Sequence, residues 1–221
     1  LYLVFNEGYA TRSGPLVRID LCDEAIRLTR LIVGLMPEER EAEGLLALML
    51  LQHSRRAART DISGDLVVLD EQDRAKWDHD MIDDGLATIE RAFRGGRPGI
   101  YRLQAAIAAS HARAPRPEDT DWPQIAALYG ALAGIQPSAI VALNRAVAVA
   151  MADGPAAGLS LLVPLEAELE GYHLFHSARA DLLRRLDRPE EAAESYRRAL
   201  EGATNPTERR FLERRLAELP G

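Results

Sequence analysis

Leu186-Asp187-Arg188-Pro189-Glu190-Glu191-Ala192, continued by Ala193-Glu194-Ser195-Tyr196-Arg197-Arg198-Ala199, decides the fold. Pro189 suits the first position of a helix, where its missing N–H costs nothing. Glu190 and Glu191 follow in the first turn, where negative charge complements the helix dipole. Ala192, Tyr196 and Ala199 recur at helical spacing and place a small–aromatic–small stripe on one face. The spacing therefore predicts the second helix of an antiparallel hairpin, with Leu186 to Arg188 as its turn.

A second copy lies 34 residues upstream. Asn144-Arg145-Ala146 falls over Ala178-Arg179-Ala180, Val149 over Leu183, Asp153 over Asp187, Pro155 over Pro189 and Leu162 over Tyr196. A helix–turn–helix period of that length is the period of a tetratricopeptide repeat (TPR). The steric logic is that Ala180 and Ala192 let two helices approach while Leu183 and Tyr196 fill the groove between hairpins. One hairpin cannot bury its own face, so several are expected to stack.

Outward from this repeat the whole chain reads as helix. Helices are expected at about 123–134, 138–152, 155–163, 172–187, 189–202 and 206–219, with Asn205-Pro206 repeating the cap-then-proline signal. Upstream, Asp20 opens a helix carrying Ala25, Leu28, Ile32 and Leu35. Pro37 is expected to begin the next, which runs to about Arg59 around Leu45, Leu46, Leu48, Met49 and Leu50. Residues 60–72 read as a loop with a short extended piece at Leu66 to Leu69. Further helices follow at Met81 to Phe93, stopped by Gly95-Gly96, and at Tyr101 to Arg113. No segment carries convincing strand alternation. The expected fold class is all-α, with antiparallel hairpins stacked as a TPR-like right-handed solenoid. Residues 1–115 form an N-terminal helical part and residues 116–221 the TPR-like hairpins.

Composition bounds the function. The 221 residues hold 27 basic and 34 acidic side chains, a net charge of −7, which argues against nucleic-acid binding by this segment. Lys76 is the sole lysine, and the arginine bias reads as a property of composition and not of phosphate recognition. One cysteine, Cys22, excludes a disulfide framework and fits a reducing compartment. The uncharged stretch from Trp122 to Asn144 has the length of a membrane span, but Gln124, Gln136, Pro137 and Ser138 interrupt it, and two buried helices joined at residues 134–138 are expected instead. The chain begins with Leu1 inside the run Leu1 to Phe5, which reads as a cut in a longer protein. It lacks the basic segment and cleavage site of a signal peptide.

Few side chains offer chemistry. His79 with Asp83, and His173 with His176, have spacings that would let both members of each pair meet one metal ion. A solvated acidic face and a partly buried helix face are the plainer readings, and no metal is expected. Cys22 has no histidine near it in sequence and reads as a buried thiol. Gly95 to Gly99 lacks the Lys-Ser/Thr of a phosphate loop. Two polar–aromatic clusters stand out, Asn6, Glu7 and Tyr9 after an apolar run, and Gln72, Asp73, Arg74 and Trp77 at a helix start. Each is open to three readings: a ligand pocket, an interdomain contact, or capping and internal hydrogen bonding. In the C-terminal hairpins, Asn144, Arg145, Asp181, Arg184 and Arg185 fall on first helices, which would line a concave groove able to take a peptide or protein.

A set of motifs points to a family. Tyr2-Leu3-Val4-Phe5-Asn6-Glu7-Gly8-Tyr9 is followed by Asp20-Leu21-Cys22-Asp23-Glu24-Ala25, then Gln72-Asp73-Arg74 with Trp77-Asp78, Gln104-Ala105-Ala106-Ile107-Ala108-Ala109 with His111-Ala112, Thr120-Asp121-Trp122, Ala142-Leu143-Asn144-Arg145-Ala146-Val147-Ala148 and Tyr172-His173. Together these resemble the long C-terminal extension of bacterial extracytoplasmic-function (ECF, sigma-24-like) RNA polymerase sigma factors. The resemblance implies a cytoplasmic, non-enzymatic, TPR-like regulatory domain without a cofactor. It implies contacts with the sigma-factor core domains of a parent protein, and RNA polymerase and promoter DNA as partners through that parent alone. The sigma DNA- and polymerase-binding domains are absent from this sequence, and the family supplies no catalytic residues. The alternative is a small-molecule sensor with its pocket in the N-terminal half.

Overall fold

The computed structural model describes residues 1–9 and 18–220 and divides into two compact units, Leu1–Asp121 and Trp122–Gly221. The described residues form helices joined by turns. Their one β feature is an isolated antiparallel bridge between Thr60 and Leu66.

In the first unit the helices are α1 (Tyr2–Tyr9), α2 (Ile19–Leu35), α3 (Arg40–His53), α4 (His79–Ala92) and α5 (Ile100–Arg113). From Gly44 to Leu51 helix α3 is apolar on every face, and a segment of that composition belongs inside a bundle. It buries Leu46, Ala47, Leu48, Met49, Leu50 and Leu51, and α1, α2, α4 and α5 all pack on it. One core gathers Phe5, Cys22, Ala25 and Ile26 against Met49 and Leu50. A second gathers Leu48, Leu51, Ile82, Ile89 and Trp77 against Ala105 and Ala109.

Two expectations are corrected here. Pro37 does not open α3. Glu39 caps it, its carboxylate accepting the Glu41 N–H at 3.2 Å, so the helix starts at Arg40. Nor does α3 reach Arg59. It stops at His53, where Ser54 turns its hydroxyl back to the Leu51 carbonyl, and a 3₁₀ turn over Arg56–Ala58 follows. From Tyr2 on, the apolar run at the start of the chain belongs to α1, which had no assignment from sequence.

Glycine sets the tightest helix approach within this unit. A Cβ on Gly44 of α3 would lie 2.7 Å from Arg102 Cγ and 2.8 Å from the Arg102 backbone nitrogen of α5. The two helices touch backbone to backbone at that point, which only hydrogen permits.

The second unit comprises α6 (Trp122–Ile135), α7 (Ala139–Asp153), α8 (Pro155–Leu162), α9 (Glu166–Leu169), α10 (His173–Arg185), α11 (Pro189–Gly202) and α12 (Pro206–Ala217). Consecutive helices pack in pairs, α6 on α7, α7 on α8, α10 on α11 and α11 on α12. Ser138 and Asn205 cap α7 and α12 through their side chains. Three of the matched pairs 34 residues apart are alike, whereas Val149 is half-buried where Leu183 is buried, and Asp153 is helical where Asp187 lies in a turn. Ala146 and Ala180 are wholly buried, Leu162 and Tyr196 are each 1% exposed, and Pro155 and Pro189 both open a helix.

The turns between these pairs differ. Gly154 alone, at φ 101°, separates α7 from α8. After α10 the Arg188 N–H returns to the Leu183 carbonyl and the Asp187 N–H to the Arg184 carbonyl, a complete Schellman turn with Asp187 at φ 56°. The second helix of the upstream pair is also broken, by a 3₁₀ turn over Val163–Leu165 that contains Pro164. Among the described residues no helix is long and apolar enough to cross a membrane.

Candidate functional site

The loop between α3 and α4 brings two of the sequence-flagged clusters to one place in the first unit. Asp73 caps a 3₁₀ turn over Arg74–Lys76 by accepting the Ala75 N–H at 3.1 Å. That turn lays the Arg74 guanidinium on the indole of Trp77, 4.6 Å from ring centroid to Cζ. Trp77 is 4% exposed and packs against α3, α4 and α5. Arg74 Nη1 donates to the carbonyls of His111 and Ala114 at the end of α5, the first at 2.7 Å. These bonds satisfy one last-turn carbonyl of that helix and its C-cap carbonyl.

Arg55 also approaches this assembly, its Cζ 5.9 Å from the Trp77 centroid. Its Nη2 donates to the Tyr9 hydroxyl at 2.8 Å and to Gln52 Oε1. Arg59 stacks over the Tyr9 ring at 3.6 Å and donates to the Tyr9 carbonyl. Cations and rings thus meet in succession, Arg59 with Tyr9, Tyr9 with Arg55, Arg55 with Trp77 and Trp77 with Arg74, drawn from α1 and the loop after α3. Burial works against the charge of Arg59 and of Arg74. Burial, then Arg55 and Arg74, hold the His111 imidazole down to about 4, so it is neutral at pH 7.

Tyr9, Arg74 and Trp77 thus meet in one cluster. Asn6, Glu7 and Asp73 serve otherwise: Asn6 bonds the Tyr2 hydroxyl, Glu7 is exposed on α1, and the Asp73 carboxylate is spent on its cap. Sequence reasoning missed Arg55 and Arg59. Their signal was the run Arg55-Arg56-Ala57-Ala58-Arg59, three arginines soon after the apolar run Leu45 to Leu51 of an acidic chain.

The flagged residues of the second unit are more dispersed. Asn144 and Arg145 are exposed on α7, with Arg145 Nε alongside Gly130 of α6. Asp181 and Arg184 of α10 pair with each other at 2.6 Å, and Arg185 reaches Met151 Sδ of α7 at 3.1 Å. His173 and His176 line a cleft of about 390 Å³ with Glu170, Arg198 and Glu201. His173 Nε2 lies 3.2 Å from Glu208 Oε2, whereas His176 Nε2 lies 2.6 Å from the Glu170 carbonyl oxygen. The two rings serve different partners. Among the described residues no three His, Cys, Asp or Glu side chains gather as a metal site. His79 and Asp83 are both exposed on α4.

Comparison with known proteins adds a partial family match and a length. Residues 1–93 match the model described as "Family of unknown function (DUF6596)". An uncharacterized protein of Rhizobium meliloti (strain 1021) is 52% identical over 220 residues, covering 99% of this chain and 52% of that protein. The chain spans about half the length of the curated relative it matches. No solved structure matches it.

Proposed function

We propose that this chain is the helical regulatory extension of an ECF sigma factor, acting through contacts and without catalysis. The observation that carries the reading is the 34-residue equivalence in the second unit. Paired helices there keep the same buried small and large positions, Ala146 with Ala180 and Leu162 with Tyr196, although their turns differ. Side chains conserved in role while the connections vary are what a repeat scaffold requires, because each pair buries its neighbour. On this reading the second unit is a TPR-like right-handed solenoid, and α7 and α10 present Asn144, Arg145 and Arg185 to a peptide or protein in its groove.

A relative of twice the length gives room for two further domains. The reading assigns that length to sigma domains that bind promoter DNA and RNA polymerase, with this chain contacting them in the cytoplasm. Run-off transcription with the full-length parent and with the parent truncated before this chain tests the proposal. Loss of transcript on truncation means an activating role, and a gain means autoinhibition. Unchanged transcription, or a parent that directs no transcription at all, overturns the reading.

A further inference from the structure

Arg55, Arg59 and Arg74 share an unusual electrostatic position. Acids outnumber bases in this chain, yet among the described residues none of the three guanidinium groups has a carboxylate within ion-pair distance. Asp70, then Asp119 and Glu118, act on Arg74 from beyond ion-pair distance. Asp119 and Glu118 pair with Arg116 at 2.8 and 3.5 Å, and Asp78 pairs with Arg56 at 2.9 Å. Residues 10–17 contain no Asp or Glu. A half-buried cation with no anion in contact is costly, and proteins seldom keep several together in that state.

The unused atoms are arranged for recognition. Arg74 spends Nη1 on backbone carbonyls, but its Nε and Nη2 are buried without a hydrogen-bond partner. Those two atoms form one edge of the guanidinium, the edge that takes a planar carboxylate through two parallel bonds. Trp77, 96% buried, leaves its indole Nε1 without a partner on the ring that Arg74 covers. Gln72, 93% buried, donates Nε2 to the Val67 carbonyl and leaves Oε1 unpartnered. Every unpartnered nitrogen in this group is a donor, two on a cation and one on the ring stacked against it.

We propose that the Arg55–Trp77–Arg74 cluster binds a small organic carboxylate. The Nε/Nη2 edge of Arg74 takes the carboxylate, the Trp77 indole N–H adds a donor, and Arg55 supplies a second positive charge. The depth of Trp77 favours a small acid over the side chain of a macromolecule. This site is independent of the regulatory reading above and stands or falls without it.

The test follows the indole Nε1–H resonances of the full chain in ¹H–¹⁵N spectra, with Trp122→Phe assigning Trp77. Acetate, succinate and benzoate are titrated beside acetamide, succinamide, benzamide and inorganic phosphate. The expected result is a saturable shift of the Trp77 Nε1–H with at least one acid, absent with its amide. Arg74→Lys keeps the charge but loses the edge, and should weaken that shift at least about tenfold. No saturable shift with any of the three acids overturns the proposal. So does an equal response to the amides or phosphate, or an Arg74→Lys protein that binds as the parent does. Should Arg74→Lys fail to fold, the comparison of acid with amide in the unmutated chain decides alone.

Discussion

Glu41 and Arg102 join α3 to α5 across 61 residues of chain: Glu41 Oε1 accepts the Arg102 Nε–H at 2.6 Å. The same carboxylate accepts the Gly99 and Tyr101 N–H groups at 2.9 and 2.8 Å, and so caps α5 from another helix. Arg102 in turn donates to the carbonyls of Ala92, Gly95 and Arg97, which fixes the Gly95–Gly99 loop. The Arg102 side chain is 7% exposed. Glu41→Ala would leave that cation buried and the Gly99 and Tyr101 N–H groups bare. It should cost about 3 kcal/mol or more of unfolding free energy, the scale for breaking a buried pair from one side. Urea denaturation measures this, and a loss below about 1 kcal/mol would show the network to be peripheral.

Glycine substitutions should separate by what a Cβ would meet. On Gly158 of α8 it would lie 2.3 Å from Ala150 Cβ and 2.6 Å from the Ala146 carbonyl oxygen, so α7 and α8 must part to admit it. Gly158→Ala should destabilise by about 2–3 kcal/mol, as overpacking does. Gly34 of α2 meets nothing within 4 Å. Gly34→Ala should stabilise by about 0.5–1 kcal/mol through helix propensity alone. Thermal melts of the two variants that shift in the same direction would refute this account.

Asp187 should respond in the opposite sense to Gly158. It holds the left-handed position of the turn after α10, where a Cβ carries a steric cost. Asp187→Gly should raise the stability of the second unit by about 0.5–1 kcal/mol, since glycine is the residue this turn prefers. A measured loss would mean the Asp187 side chain makes a compensating contact.

Helix ends that carry their own chemistry were legible from sequence. Pro189, the Asn205-Pro206 pair and Gly95-Gly96 marked their boundaries to within a residue or two, because caps and breakers act locally. The start of α3 was misread because Pro37 is as acceptable in a turn as at a helix start, and only Glu39's carboxylate decides between them. The arginine–ring cluster was half visible. Arg74 and Trp77 stood out as neighbours, but Tyr9 and Arg55 lie 46 residues apart, and no local pattern announces that they meet. Glu41 was invisible for the same reason, being one acid among many until Gly99 and Arg102 are brought beside it.

Cys22 should be chemically silent in the folded protein. It is wholly buried, its thiol lies 3.7 Å from the Phe5 carbonyl oxygen, and burial followed by Asp23 pushes it up to about 11. At pH 7 only about one thiol in ten thousand is then ionised, and the thiolate is the reactive form. Iodoacetamide should modify Cys22 at a rate that tracks unfolding and rises with urea. Rapid stoichiometric labelling in native buffer would place α1 away from α2 for much of the time.

The buried imidazoles make stability depend on pH in a defined direction. His111 is held at about 4 in the folded chain by burial, then by Arg55 and Arg74, while in the unfolded chain it titrates near its ordinary value. Below pH 6.5 the unfolded state therefore takes up a proton that the folded state refuses. The associated stability is fully present above about pH 6.5 and falls as the pH drops toward 4, by about 3 kcal/mol at most. His53 adds to the same trend, because burial and then Arg56 lower it too, against the pull of Asp23 at 3.0 Å. Urea midpoints taken from pH 7 to pH 4 should fall steadily, and His111→Asn should flatten part of that fall without abolishing it. The Hε1 resonance of His111 should stay unshifted down to about pH 5. A titration centred near 6.5 would mean that water reaches the ring, and that Arg55 and Arg74 stand farther from it than their contacts around Trp77 require.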